Sequence, residues 1–140
     1  MVYKSELISE LKLKNFKGLV ALFKAYESTG AIKCEVSECD SGKTCCTISI
    51  LTDCQLTPTA LECLAENFMF FSDGTIFIDE KYWTWSEEDT KCLARFLAPY
   101  LKNGSKMIFY DEYSHRWGYI FKKKKAYELY WKEKVGIRVK

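Results

Sequence analysis

Residues 68–78 read Phe68-Met69-Phe70-Phe71-Ser72-Asp73-Gly74-Thr75-Ile76-Phe77-Ile78. Two apolar runs flank a Ser-Asp-Gly turn signal, which predicts a β-hairpin. Eight residues later, Ser86 opens the clearest helix in the chain. Ser86-x-x-Asp89 approximates a capping box, and Glu87, Glu88 and Asp89 put three carboxylates in the first turn, where the helix dipole favours them. Leu93, Phe96, Leu97, Tyr100 and Leu101 form its apolar stripe. Pro99 costs a backbone hydrogen bond and predicts a kink, and Asn103-Gly104 is the stop.

Upstream lies a second hairpin. Ile32, Cys34 and Val36 alternate with Lys33, Glu35 and Ser37, Asp40-Ser41-Gly42-Lys43 turns the chain, and 44–51 returns. Thr57-Pro58 then opens a short helix, Thr as N-cap and Pro at the first helical position, carrying Ala60, Leu61, Leu64 and Ala65. The N-terminal segment, about 5–28, reads as helical: Phe16, Leu19, Val20, Phe23 and Tyr26 follow helical spacing, with Ile8 and Leu11 ahead of them. Asn15 or Gly18 is a candidate break, and Thr29-Gly30 the stop. Downstream, 106–110, 117–121 and 126–132 read as three strands. Hairpins alternating with helices predict an α+β fold, an antiparallel sheet with helices packed on one face. A short internal echo, 44–72 against 75–111, repeats strand, loop, capped helix and strand.

The length of 140 residues fits one domain, and 48% hydrophobic and 16% aromatic content excludes a disordered or low-complexity chain. The N-terminus lacks the apolar core of a secretion signal, and no run approaches a membrane span, so a cytoplasmic location is expected. Seven cysteines then need no pairing scheme. Adjacent Cys45 and Cys46 point to opposite faces of a strand and do not readily share a metal, and Cys63 and Cys92 fall in helical apolar stripes. Neither a metal site nor a cofactor is expected. Glycines are scattered, with no phosphate-binding loop. His115 is the only histidine and lies in a loop with no nucleophile signature beside it, so no catalytic residue is assigned.

Two surfaces invite a partner. Tyr82-Trp83-Thr84-Trp85 precedes the acidic helix start; tryptophan and tyrosine dominate interface hot spots, and neighbouring charge steers association. Tyr82, Trp83, Glu87, Glu88 and Asp89 are the candidate partner-binding residues, with Asp111, Glu112 and His115 as a second rim. The other surface is basic. The net charge is only +2, yet the last 25 residues hold nine basic and two acidic side chains. Lys122, Lys123, Lys124 and Lys125, with Tyr119, Phe121, Tyr127, Tyr130 and Trp131 nearby, offer phosphate contacts and stacking surfaces to a nucleic acid.

Asp73-Gly74-Thr75-Ile76-Phe77-Ile78, Trp85-Ser86, Leu97-x₂-Tyr100-Leu101-Lys102-x-Gly104-Ser105, Phe109-x-Asp111-Glu112 and Trp117-Gly118-Tyr119-x-Phe121 together form a pattern of turns and aromatics. Over 68–132 it resembles small bacterial proteins of the toxin-immunity type. The resemblance implies a cytosolic α+β protein that neutralises a cognate toxin domain, and carries over no functional residue. The sequence therefore favours a non-catalytic protein-binding module, with a nucleic-acid-binding domain and an uncharacterised enzyme as alternatives.

Overall fold

The computed structural model describes residues 5–51, 58–65, 67–78, 82–83, 86–111 and 115–129. Strand β1 (Ser5–Glu10) leads into helix α1 (Phe16–Glu27) and the hairpin β2 (Ile32–Glu38) and β3 (Thr44–Ile50). Helix α2 (Thr59–Leu64) follows, then β4 (Phe68–Phe71), β5 (Ile76–Ile78) and β6 (Tyr82–Trp83). Helix α3 (Glu87–Leu97) runs into a 3₁₀ turn over Ala98–Tyr100, and β7 (Lys106–Asp111), β8 (Arg116–Lys122) and β9 (Lys125–Glu128) complete the described chain.

These elements make an α+β fold with two antiparallel sheets. One sheet has the order β6-β1-β7-β8-β9, the other β2-β3-β4-β5. Both expected hairpins form, with Ile32 opposite Ile50 and Phe68 opposite Ile78. The turns between them are tied by a Lys43–Asp73 ion pair at 2.9 Å. The Lys43 ammonium holds the Asp73 carboxyl well below the usual carboxylate range. One core joins both sheets: Leu19 and Phe23 of α1, Leu61 and Leu64 of α2, and Leu93 and Leu97 of α3 meet Phe68, Phe70, Met107 and Phe109. The chain crosses between the sheets at Lys12 and Leu13, where Lys12 bridges to Thr75 and Leu13 to Leu101. Leu13 N–H donates to the Gly74 carbonyl at 2.8 Å. Gly74 has φ +98°, and a Cβ there would stand 2.9 Å from the Leu13 carbonyl oxygen, so this crossing needs glycine.

Several expectations are corrected. Residues 5–10 are not the start of the N-terminal helix: they form β1, because Ser5–Glu10 is held between β6 and β7, and that pairing overrides local propensity. Asn15 marks the true start of α1, its Oδ1 accepting the Gly18 N–H at 2.9 Å. Pro58 is the N-cap of α2, one position later than the expected Thr57, which lies outside the described residues. Pro99 does not kink α3. The α-helix stops at Leu97 and the chain tightens into a 3₁₀ turn, as an absent N–H at Pro99 favours. The two halves of the internal echo are not equivalent: β3 pairs with β4, whereas β5 and β7 belong to different sheets. Strand β9 ends at Glu128, and 130–132 lie outside the described residues.

The capping box forms in full. Asp89 N–H donates to Ser86 Oγ and Ser86 N–H to Asp89 Oδ2, each at 3.1 Å. Ser86→Ala leaves the Asp89 amide without its cap and is expected to lower stability by about 1 kcal/mol. Thermal unfolding of the variant checks this; an unchanged midpoint would show that the box contributes nothing.

Candidate functional site

The candidate site is built where the start of α3 meets the β7–β8 end of the five-stranded sheet. Alternation on β8 turns Trp117, Tyr119 and Phe121 into the core. Gly118 between them lies against β7, where a Cβ would come within 2.6 Å of the Met107 carbonyl oxygen. Helix α3 packs on this face through Thr90, which is buried. Trp117 Nε1–H donates to Thr90 Oγ1 at 2.9 Å, and the Thr90 hydroxyl donates to the Glu87 carbonyl at 2.8 Å. The Tyr119 hydroxyl reaches Thr90 Oγ1 at 3.3 Å and the Glu87 carbonyl at 3.4 Å. Burial pushes the Tyr119 hydroxyl pKa up, so it stays a neutral donor.

This buried network positions the surface above it. Glu87 Oε1 lies 3.2 Å from His115 Nε2, and the imidazole stacks on Trp117 with ring centroids 5.5 Å apart. His115 N–H donates to Asp111 Oδ1 at 2.8 Å, and Asp111 N–H to the His115 carbonyl at 2.9 Å. Trp117 in turn stacks on Phe109 at 5.5 Å. Beside these groups opens a cleft of about 150 Å³, lined by Glu87, His115, Arg116, Trp117, Glu128 and Leu129 among others. Lys91 bonds Glu128 at 3.0 Å, and that hydrogen bond raises the Lys91 pKa.

The structure thus brings Glu87, Asp111 and His115 into one contact group, although the sequence presented them as two separate rims. Glu88 stands exposed, 4.0 Å from Lys91. Asp89 is committed to the capping box. The backbone places Tyr82 and Trp83 on edge strand β6, in the same row as the site: Trp83 is opposite Ser5, and Ser5 is opposite Asp111. Glu112 lies outside the described residues. Thr90, Lys91 and Glu128 were not singled out from the sequence. Thr90 had one available signal, a β-branched polar residue on the apolar side of a helix, one turn in.

The basic surface is a tight turn. Lys122, Lys123, Lys124 and Lys125 are all exposed, and Lys123 and Lys124 both take positive φ. The aromatic part of the nucleic-acid expectation is corrected: Tyr119 and Phe121 are buried and present no stacking surface, because they are the core face of β8. Tyr127 is exposed, and Tyr130 and Trp131 lie outside the described residues.

The cysteines divide by environment. Cys46 and Cys63 are buried, and burial pushes the Cys63 thiol up to about 12. Cys92 is exposed, correcting its expected place in an apolar stripe. Cys54 lies outside the described residues. Among the described residues, no group of three His, Cys, Asp or Glu side chains is arranged to hold a metal ion. No helix among them is long and apolar enough to cross a membrane.

Comparison with protein-family models, with curated proteins and with solved structures finds no match.

Proposed function

We propose that this chain is a non-catalytic protein-binding module, and that the partner is a toxin domain it neutralises as an immunity protein. The observation that carries the binding reading is the Glu87–His115–Asp111 group. It joins a helix start and a strand turn into one surface, held from below by the Thr90–Trp117–Tyr119 bonds. A surface ordered before binding loses less side-chain entropy on association. Exposed Glu87 and Glu88, with Tyr82 and Trp83 on edge strand β6, suit a basic partner surface. The resemblance over 68–132 supports the toxin as partner and a cytoplasmic setting.

Co-expression with the product of the neighbouring reading frame tests this. A stoichiometric complex and rescue of growth are expected. Neither appearing overturns the proposal. Within such a complex, Glu87→Lys with Glu88→Lys is expected to weaken binding at least about tenfold, mostly through slower association at low salt. The readout is surface-immobilised binding kinetics at two salt concentrations. An unchanged affinity would move the interface elsewhere. Binding of DNA or RNA at about 50 mM salt, lost on Lys123→Glu with Lys124→Glu, would replace this reading with the nucleic-acid one.

A further inference from the structure

We propose that Cys34 and Cys46 form a redox pair that closes into an intrachain disulfide across the β2–β3 hairpin. This does not depend on the binding reading, because the hairpin belongs to the other sheet.

Strand alternation puts both thiols on the core face. Cys34 lies opposite Ile48 and Val36 opposite Cys46, so the two cysteines are diagonal neighbours. Their sulfurs are 3.6 Å apart, in van der Waals contact. A disulfide needs about 2.05 Å. Rotation about the two Cα–Cβ bonds, with a small approach of β2, closes that gap. Among the described residues β2 is the edge of its sheet, paired with β3 alone, so no second strand holds it back. It is also held in place at the right residue: the Cys34 N–H donates to Glu27 Oε2, at the end of α1, at 2.7 Å.

The two thiols are unequal. Cys34 is half-buried and Cys46 fully buried. Burial raises both thiol pKa values, and drives that of Cys46 far above the usual range. Cys34 is therefore the thiol an oxidant meets, and Cys46 the one that resolves. With a low-molecular-weight disulfide such as glutathione disulfide, the Cys34 thiolate attacks one sulfur. A mixed disulfide forms, and one glutathione leaves with the proton that Cys34 gave up. Cys46 then loses its proton and attacks the Cys34 sulfur. The Cys34–Cys46 bond forms and the second glutathione leaves as a thiol. Two protein thiols are oxidised and one small disulfide is reduced. Cys45 lies on the opposite face of the same hairpin, with Ser37 Oγ 3.3 Å from its sulfur, and serves as an internal control.

The test incubates the folded full-length chain with excess glutathione disulfide, blocks the remaining thiols, and maps cross-linked peptides by mass spectrometry. A Cys34–Cys46 cross-link, with loss of two hydrogen atoms, is the expected result. Reductant reverses it. The oxidised chain should melt roughly 5–10 °C higher, since the bridge restricts the unfolded state. Cys34→Ser abolishes the cross-link and Cys45→Ser leaves it intact. Cys46→Ala, should it fold, stops the reaction at the mixed disulfide. A cross-link between any other pair, a mixed disulfide at Cys34 that never closes, or no reaction of the folded chain would overturn the proposal.

Discussion

Phe70→Ala is expected to remove about 3–5 kcal/mol of stability. Phe70 is fully buried in the middle of β4, opposite Cys46 of β3. Its ring lies 5.8 Å from Phe23 of α1 and 5.9 Å from Phe68. Phe23 stacks in turn on Phe96 of α3, with centroids 6.4 Å apart. Truncation therefore opens a cavity at the point where one sheet and two helices meet, and close-packed neighbours fill it only in part. Domains of this size are stable by about 5–15 kcal/mol in all, so the variant loses about a fifth of the margin or more. Urea unfolding checks this through a lower midpoint at unchanged slope. Phe77→Ala is the matched control. Phe77 is 52% exposed on edge strand β5, and its loss should stay within about 0.5 kcal/mol. Equal effects from the two substitutions would mean that the core is misplaced.

The contrast between Phe70 and Phe77 also shows what the sequence could reveal. The 68–78 hairpin was legible because turn chemistry and apolar runs are local signals. The Ser86 capping box was legible for the same reason. The even spacing of Trp117, Tyr119 and Phe121 marked a strand with one buried face. Strand β1 was not legible. Its six residues acquire their conformation from β7, about 100 residues later in the chain, and from β6. The division into two sheets was hidden likewise, since it depends on β5 pairing with β4 while β7 joins β1. The candidate site follows the same rule. Each acidic residue was visible, but the contact between Glu87 and His115 spans 28 positions. It exists because α3 is anchored to β8 by a hydrogen bond to Thr90, which no local pattern announces.

Thr90→Val tests that anchor, with an expected loss of about 1–3 kcal/mol. The substitution preserves shape and volume while deleting a hydroxyl that serves three partners. Trp117 is only 6% exposed, so its indole N–H loses its acceptor where water cannot easily replace it. Tyr119 keeps an alternative in the Glu87 carbonyl at 3.4 Å, which is why the loss should not reach the upper end of a core truncation. Thr90→Ser, which keeps the hydroxyl and gives up a methyl group, should cost about 1 kcal/mol. Breaking the surface pair directly with Glu87→Gln should cost no more than about 1 kcal/mol, because both side chains are 57% exposed and solvent screens them. The order Thr90→Val, then Thr90→Ser and Glu87→Gln, separates the buried network from the Glu87–His115 contact above it. The indole N–H resonance of Trp117 should shift in Thr90→Val alone. Partner affinity should fall with it, since freeing the first turn of α3 from β8 releases Glu87 from His115. Wild-type stability in Thr90→Val would show that apolar packing, rather than this hydroxyl, holds the two halves of the site together.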